Sequence, residues 1–257
     1  LEKISIFGAG YVGLVSAVCF ADRGYEVFLV THDPEKAVKI NSGIPPFYES
    51  SLKEFLERAV KSGKLQATLN HEEALLKSEI SFIAVGTPSK PDGSIDLTFI
   101  EKASVEIGQA LGKKRGYHLI ALRSTVIPGT TEGLVKPTLE ENSGKEAGID
   151  FGLAMQPEFL RQGSAIKDTL NPDRIVIGEY DEKSGKTLER LYRSFYKKKL
   201  PPLLRMSLAA AEMVKYASNA FLATKISYIN QIANICEKIK GVDVVKVAEG
   251  MGLDPRI

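Results

Sequence analysis

Lys3-Ile4-Ser5-Ile6-Phe7-Gly8-Ala9-Gly10-Tyr11-Val12-Gly13-Leu14 is the stretch on which the fold turns. A short apolar run, Lys3 to Phe7, reads as a strand. Three glycines separated by one and then two residues follow directly, and an apolar helical pattern runs from Val12 to Arg23. A strand that feeds a helix through Gly8, Gly10 and Gly13 leaves free N–H groups at the helix start, where the pyrophosphate of a dinucleotide binds. Tyr11 and Val12 belong to the same turn. Cys19, in that helix, reads as a small core residue.

Outward from this unit the alternation repeats. Glu26 to Val30, Ile80 to Val85, His118 to Leu122, Phe151 to Met155 and Arg174 to Ile177 read as strands. Pro34 to Asn41, Ser51 to Lys61, Leu97 to Leu111, Thr131 to Glu141 and Glu189 to Tyr196 read as helices. This order predicts an α/β fold, a Rossmann-type doubly wound and mainly parallel sheet. From Leu203 to Lys240 the sequence has neither glycine nor proline, which predicts one long helix ended by Gly241, with a short helix, Val244 to Glu249, behind it. Apolar residues such as Met213, Phe221, Ile226 and Ile235 wrap much of the long helix, the pattern of burial in a core or a subunit interface.

Composition excludes several functions. The 34 basic and 32 acidic residues leave a net charge of +2, too small a field to imply nucleic acid or an anionic membrane as partner. The run Lys197 to Lys199 reads as a solvated face. Apolar segments fall far short of the roughly 20 residues that span a bilayer. No signal-peptide pattern opens the chain, so a cytoplasmic location is expected. Cys19 and Cys236 are its two cysteines, each inside a helical pattern, which gives no disulfide framework. His32, His71 and His118 share no ligand spacing, and no metal is expected.

Candidate site residues gather at strand ends. After the second strand comes Val30-Thr31-His32-Asp33-Pro34, where a ribose-binding carboxylate is expected. Asp33 fits either that role or the cap of the helix opening at Pro34, and Thr31 offers the ribose a neutral hydrogen-bonding group. Gly86-Thr87-Pro88, Ser124-Thr125 and Pro157-Glu158-Phe159-Leu160-Arg161-Gln162-Gly163 follow three further strands, on the edge where open α/β sheets bind ligands. Lys215 and Asn219 lie one turn apart on one face of the long helix, placed to meet one ligand. A lysine in an apolar helix is costly to bury without a partner, which favours a paired or functional role.

Together with Ser124-Thr125-Val126-Ile127-Pro128-Gly129-Thr130, Asn171-Pro172-Asp173-Arg174 and Val214-Lys215-Tyr216-Ala217-Ser218-Asn219-Ala220-Phe221, these peptides resemble the UDP-glucose/GDP-mannose dehydrogenase family along essentially the whole chain. The resemblance implies NAD as cofactor, a UDP-sugar substrate and a homodimer built through the long helix. It implies two successive oxidations of a sugar's primary alcohol to a carboxylate, held at the aldehyde level as a cysteine thiohemiacetal, then a thioester that water hydrolyses. UDP-glucose to UDP-glucuronate is the expected conversion. GDP-mannose or UDP-N-acetylmannosamine as substrate, and a non-catalytic dinucleotide-binding or assembly module, are the alternatives. In the implied scheme Lys215 stabilises negative charge on oxygen, Asn219 orients substrate and water, Thr125 lies beside nicotinamide and sugar, and Glu158 is the general base. Phe159, Leu160 and Arg161 line the substrate.

The resemblance also marks departures. The family's nucleophilic cysteine follows shortly after the peptide that resembles Gly252-Leu253-Asp254-Pro255-Arg256-Ile257, and a carboxyl-terminal nucleotide-sugar-binding domain follows that; neither lies within these residues. The chain is therefore expected to be the amino-terminal part of the enzyme. Residues 1–200 would form its NAD-binding domain and 201–257 the long helix and the start of a central dimerisation domain. Cys236 does not replace the nucleophile, since it lies roughly 25 Å beyond Asn219 at 1.5 Å per residue. Thr31 and Gln162 stand where the family carries acids. Thr31 would not repel a 2′-phosphate, and Lys36 is near enough in sequence to favour one.

Overall fold

The computed structural model describes residues 2–257, with the backbone alone at position 198. One eight-stranded sheet organises the chain, in the order β3-β2-β1-β4-β5-β6-β7-β8. Its strands are β1 (Lys3–Phe7), β2 (Glu26–Val30), β3 (Leu65–Thr68), β4 (Ile80–Ile83), β5 (Leu119–Leu122), β6 (Gly152–Met155), β7 (Ile175–Glu179) and β8 (Leu203–Ser207). All pairings are parallel except that of β6 with β7. The alternation read from the sequence thus produces the doubly wound sheet it predicts.

The helices are α1 (Tyr11–Asp22), α2 (Pro34–Asn41), α3 (Leu52–Lys61), α4 (His71–Lys77), α5 (Thr98–Lys113), α6 (Lys136–Ser143), α7 (Ala165–Leu170), α8 (Glu182–Tyr196), α9 (Leu208–Cys236) and α10 (Val244–Gly252). A π-helical turn, Thr131–Val135, leads into α6. Strand side chains alternate between two apolar layers. Ile4, Ile6, Val27, Leu29, Ile80 and Phe82 face a layer containing α1, α3, α7 and α8 residues such as Leu14, Leu56, Ile166 and Leu191. Phe7, Phe28, Val30, Ile83 and Leu122 face the opposite layer, with Leu75, Ile107, Leu139 and Leu208 from α4, α5, α6 and α9. Helix α1 is buried from Gly13 to Ala21, which is why its sequence is apolar all round.

Two expectations need correction. Residues 203–207 do not begin the long helix; they pair in parallel with β7 as β8. The absence of glycine and proline is equally compatible with a strand, and the open edge of β7 settles the choice by satisfying the backbone. The helix also ends at Cys236, ahead of Gly241, because the chain tightens into turns closed by Lys238 N–H to the Ile235 carbonyl and Ile239 N–H to the Cys236 carbonyl. The apolar surface of α9, expected in a core or a subunit interface, is not in a core among the described residues: Met213, Phe221, Ile226 and Ile235 are all more than half exposed. The strand β3 and helices α4 and α7 were too short to stand out by periodicity.

The chain divides into two compact units, one up to Lys215 and one from Tyr216 to Ile257. The first contains the sheet; the second contains α10 and the later part of α9. Among the described residues no helix is long and apolar enough to cross a membrane. Of the run expected to face solvent, Lys197 and Lys199 are exposed, and the side chain at 198 lies outside the described residues.

Candidate functional site

Strand register builds the site. Val30, Phe7, Ile83, Leu122 and Met155 are successive partners across β2, β1, β4, β5 and β6. With parallel strands about 4.8 Å apart, the residues that follow these five positions emerge side by side along one edge. They are Thr31, Gly8, Gly86-Thr87, Ser124-Thr125 and Pro157-Glu158.

A cleft of about 520 Å³ opens at the β1 end of this row, lined by Gly8, Gly10, Thr31, His32 and Gly86, with Phe99, Lys102 and Glu106 of α5 closing its far side. Gly10 caps α1 without any side-chain hydrogen bond and the first turn carries no acid, so the helix's leading N–H groups are left for an anionic ligand. Two glycines are demanded by close packing. A Cβ on Gly13 would sit 1.8 Å from the Gly8 carbonyl oxygen, and Gly8 itself has φ +113° with Ala84 backbone 2.6 Å from where a Cβ would be. Gly10 differs, because a Cβ there meets nothing within 4 Å. That open space above a bare helix start fits a dinucleotide pyrophosphate. His32 Nε2 stands 3.3 Å from Glu106 Oε2 in the same cleft.

Thr31 is buried at the end of β2, and its hydroxyl accepts the Asp33 N–H at 3.2 Å. Asp33 caps α2, accepting the Lys36 N–H at 3.0 Å. Asp33 and Lys36 both lie outside the cleft lining.

The next two loops are stitched together. Thr87 Oγ1 donates to the Thr125 carbonyl at 2.9 Å, and Ser124 Oγ donates to the Val85 carbonyl at 2.6 Å. Pro88 starts the excursion that returns at Asp96, whose N–H reaches the Pro88 carbonyl at 2.8 Å. Beyond Thr125 the chain is anchored by Glu212 of α9, which is fully buried. Its carboxylate accepts Gly129 N–H at 2.6 Å, Thr131 N–H at 2.7 Å and Thr131 Oγ1–H at 2.5 Å. Three donors offset the desolvation of the charge.

One turn along α9, Lys215 is 5% exposed and its Nζ lies 2.9 Å from Glu158 Oε1. Glu158 Oε2 accepts the Leu160 N–H at 2.6 Å, which curls the loop around the carboxylate. Phe159 packs between cations, with the Arg174 guanidinium 3.9 Å and Lys215 Nζ 5.5 Å from its ring centre. Arg161 forms a two-pronged pair with Asp168, Nε to Oδ2 at 3.0 Å and Nη2 to Oδ1 at 2.7 Å. A small cavity of about 80 Å³ beside this loop is lined by Glu158 through Arg161 together with Arg123 and Gln156. A carboxylate and an ammonium held together in a largely dry site are equipped to exchange a proton and to stabilise charge on an oxygen.

The fold therefore brings Gly8, Gly10, Thr31 and Gly86 to one cleft, and Glu158, Phe159 and Lys215 to one cluster. Tyr11 and Val12 open α1. Asn219 is exposed and belongs to the second unit. Cys19 is buried, its thiol pushed up to about 12 by burial, and Cys236 is buried as well. Among the described residues no group of three or more His, Cys, Asp or Glu has the arrangement of a metal site. Sequence reasoning missed Glu212, although the argument applied to Lys215 reaches it, since it too is a charge in an apolar helix. It also missed Glu106, which carries no local signal.

Residues 2–196 match the NAD binding domain of the UDP-glucose/GDP-mannose dehydrogenase family, and residues 209–257 match that family's central domain. A GDP-mannose 6-dehydrogenase of Azotobacter vinelandii is 46% identical over 255 residues, 99% of this chain and 57% of that protein. The crystal structure of a ternary complex of GDP-mannose dehydrogenase from Pseudomonas aeruginosa superposes with a TM-score of 0.95 at 42% identity, covering 99% of this chain and 57% of that one. A UDP-glucose dehydrogenase from the hyperthermophilic archaeon Pyrobaculum islandicum gives 0.93 at 44% identity, covering 100% and 58%. The chain thus spans a little over half the length of the relatives it matches.

Proposed function

This chain belongs to the UDP-glucose/GDP-mannose dehydrogenase family and carries its NAD-binding domain, and from that premise we propose that it serves an NAD-dependent oxidation of a sugar nucleotide's primary alcohol to a carboxylate. The observation that carries the reading is the buried Lys215–Glu158 pair, set on the same sheet edge as the dinucleotide cleft. NAD supplies the hydride acceptor when bound. The bare start of α1 and the open space at Gly10 hold its pyrophosphate, and Thr31 meets the adenosine ribose. Thr125, fixed through Thr87, lines the approach to the reacting carbon. Lys215 steadies the oxygen as it gains charge, and Glu158 takes the proton that the hydroxyl or an attacking water gives up. Asn219 orients substrate and water.

GDP-mannose is the substrate we place first, because the relative at 46% identity bears that name. UDP-glucose, expected from the sequence, stands second on the strength of relatives such as the Pyrobaculum islandicum enzyme at 44%. The exposed apolar surface of α9, with Phe221, Leu222 and Ile226 each 60% exposed or more, is assigned to a homodimer contact, and the cytoplasm is the compartment this reading implies.

The deciding experiment follows nicotinamide reduction by the full-length protein with GDP-mannose, UDP-glucose and UDP-N-acetylmannosamine in parallel. A kcat/KM for GDP-mannose at least about tenfold above the others supports the order given, equivalent to about 1.4 kcal/mol of discrimination. Equal or higher values for UDP-glucose reverse it. No reduction with any of them, while NAD still binds, leaves a binding module and defeats the enzyme reading. Sedimentation of the same sample as a monomer defeats the dimer.

A further inference from the structure

Glu49 lies in the loop between α2 and α3, 5% exposed, and among the described residues no ion pair reaches it. Its carboxylate is satisfied by donors from two distant places. Tyr11 Oη donates to Glu49 Oε2, and that same oxygen accepts Gly163 N–H at 2.8 Å while Oε1 accepts Ala165 N–H at 3.0 Å. Tyr11 Oη also approaches the Arg161 carbonyl at 3.4 Å, and its ring packs on Phe47 of the Glu49 loop at 5.3 Å between centres.

The two places are the two halves of the site. Tyr11 is the first residue of α1, directly after Gly10, so its own backbone belongs to the turn assigned to the pyrophosphate. Gly163 and Ala165 close the loop that carries Glu158, Phe159, Leu160 and Arg161. Burial alone would raise the Glu49 carboxyl, but the bonds from Tyr11, Gly163 and Ala165 reverse this and hold it below the usual range. It is therefore a charged acceptor around which three donors converge, an arrangement that loses an optimal partner if any donor moves away.

We propose that Glu49 is a positioning residue that couples the pyrophosphate turn to the substrate loop, so that NAD settling on α1 tightens the segment from Glu158 to Ala165. This rests on the functional reading above for the identity of the two sites. Tyr11 transmits because a ligand on the first turn of α1 orders its backbone, and its hydroxyl shares Glu49 Oε2 with the Gly163 amide. Coupling of this kind between two sites typically amounts to factors of about 5 to 150.

Hydrogen exchange of the full-length protein with and without saturating NAD tests it, with NAD affinity measured by calorimetry on the same samples. In the wild type, exchange at Gly163 and Ala165 is expected to slow about fivefold or more on NAD binding. In Glu49→Gln, NAD still binds and the slowing falls below about twofold. Tyr11→Phe removes one hydroxyl and leaves the buried carboxylate in place, so it reports on the link even where Glu49→Gln folds poorly; its slowing is expected to shrink likewise. Unchanged exchange at Gly163 and Ala165 in the wild type on saturation with NAD overturns the coupling while leaving the proposed function standing. Full slowing in Tyr11→Phe overturns it too. Failure of the wild type to bind NAD would sink both readings together.

Discussion

Lys215 Nζ and Glu158 Oε1 meet at 2.9 Å, with side chains only 7% and 11% exposed, although the two residues are 57 positions apart in the chain. Each is the other's partner in a largely buried place. Removing one partner therefore strands the other, and losses from broken buried pairs run at about 3–5 kcal/mol. Lys215→Ala is expected to cost stability of that order and to lower kcat about 100-fold or more while NAD affinity holds. The pair Lys215→Met with Glu158→Gln should be less destabilised than the Lys215 change alone. Urea unfolding checks the first part and initial rates the second; a double variant as unstable as the sum of its singles would contradict the account.

Glu212, one turn before Lys215 on α9, holds the loop that follows Thr125. Its carboxylate gathers Gly129 N–H, Thr131 N–H and the Thr131 hydroxyl, fastening the loop after Thr125 to the helix that bears Lys215. Glutamine offers an N–H₂ where a donor already points. Glu212→Gln is expected to lose about 1.5–3 kcal/mol in denaturant unfolding. A loss below about 0.5 kcal/mol, the scale of an ordinary surface change, would mean that these bonds do not hold the loop.

Gly10 and Gly13 separate binding from folding. Gly13→Ala drives a methyl to 1.8 Å from the Gly8 oxygen, so the turn must deform, whereas Gly10→Ala projects its methyl into open space. Thermal melting should drop for Gly13→Ala and stay near wild type for Gly10→Ala. Calorimetry should show that both weaken NAD binding, Gly10→Ala because its methyl occupies the space given to the pyrophosphate. Undiminished NAD affinity in Gly10→Ala would remove the cofactor from that position.

His118 sets part of the acid limit of stability. It is fully buried, with Nε2 2.7 Å from Ser81 Oγ, and burial, helped by Lys114 and Lys145, pushes its imidazole down to about 3 from 6.5. The unfolded chain takes up a proton near the ordinary value while the folded chain declines it. Stability from this residue is therefore intact above pH 6.5 and is lost as pH falls toward 3, at up to about 1.4 kcal/mol per pH unit. His118→Gln should flatten the fall across that window when denaturant unfolding is repeated between neutral and acid pH. An unchanged slope would show that other groups govern it.

How much the sequence decided can be read from particular residues. Gly8, Gly10 and Gly13 needed no tertiary information, because the spacing of the glycines against a strand and a helix follows from backbone sterics and free N–H groups alone. The same holds for the sheet edge: once strands are parallel and similar in length, the peptides at Gly86, Ser124 and Glu158 must emerge together. Asp33 was open between cap and ribose ligand, and its bond to Lys36 N–H, a local matter in principle, was decided only by the backbone angle at β2's end. Leu203 to Ser207 could not be assigned locally, because the open edge of β7 makes it a strand. Glu49 and Glu106 were silent for the same reason, and Glu212, though marked as a charge in an apolar helix, gave no hint of its partners. Local sequence fixes what a backbone segment prefers, but a carboxylate's role depends on which donors converge on it. For Glu49 and Glu212 those donors come from chain segments 38 to 116 residues away, which only folding brings within hydrogen-bonding distance.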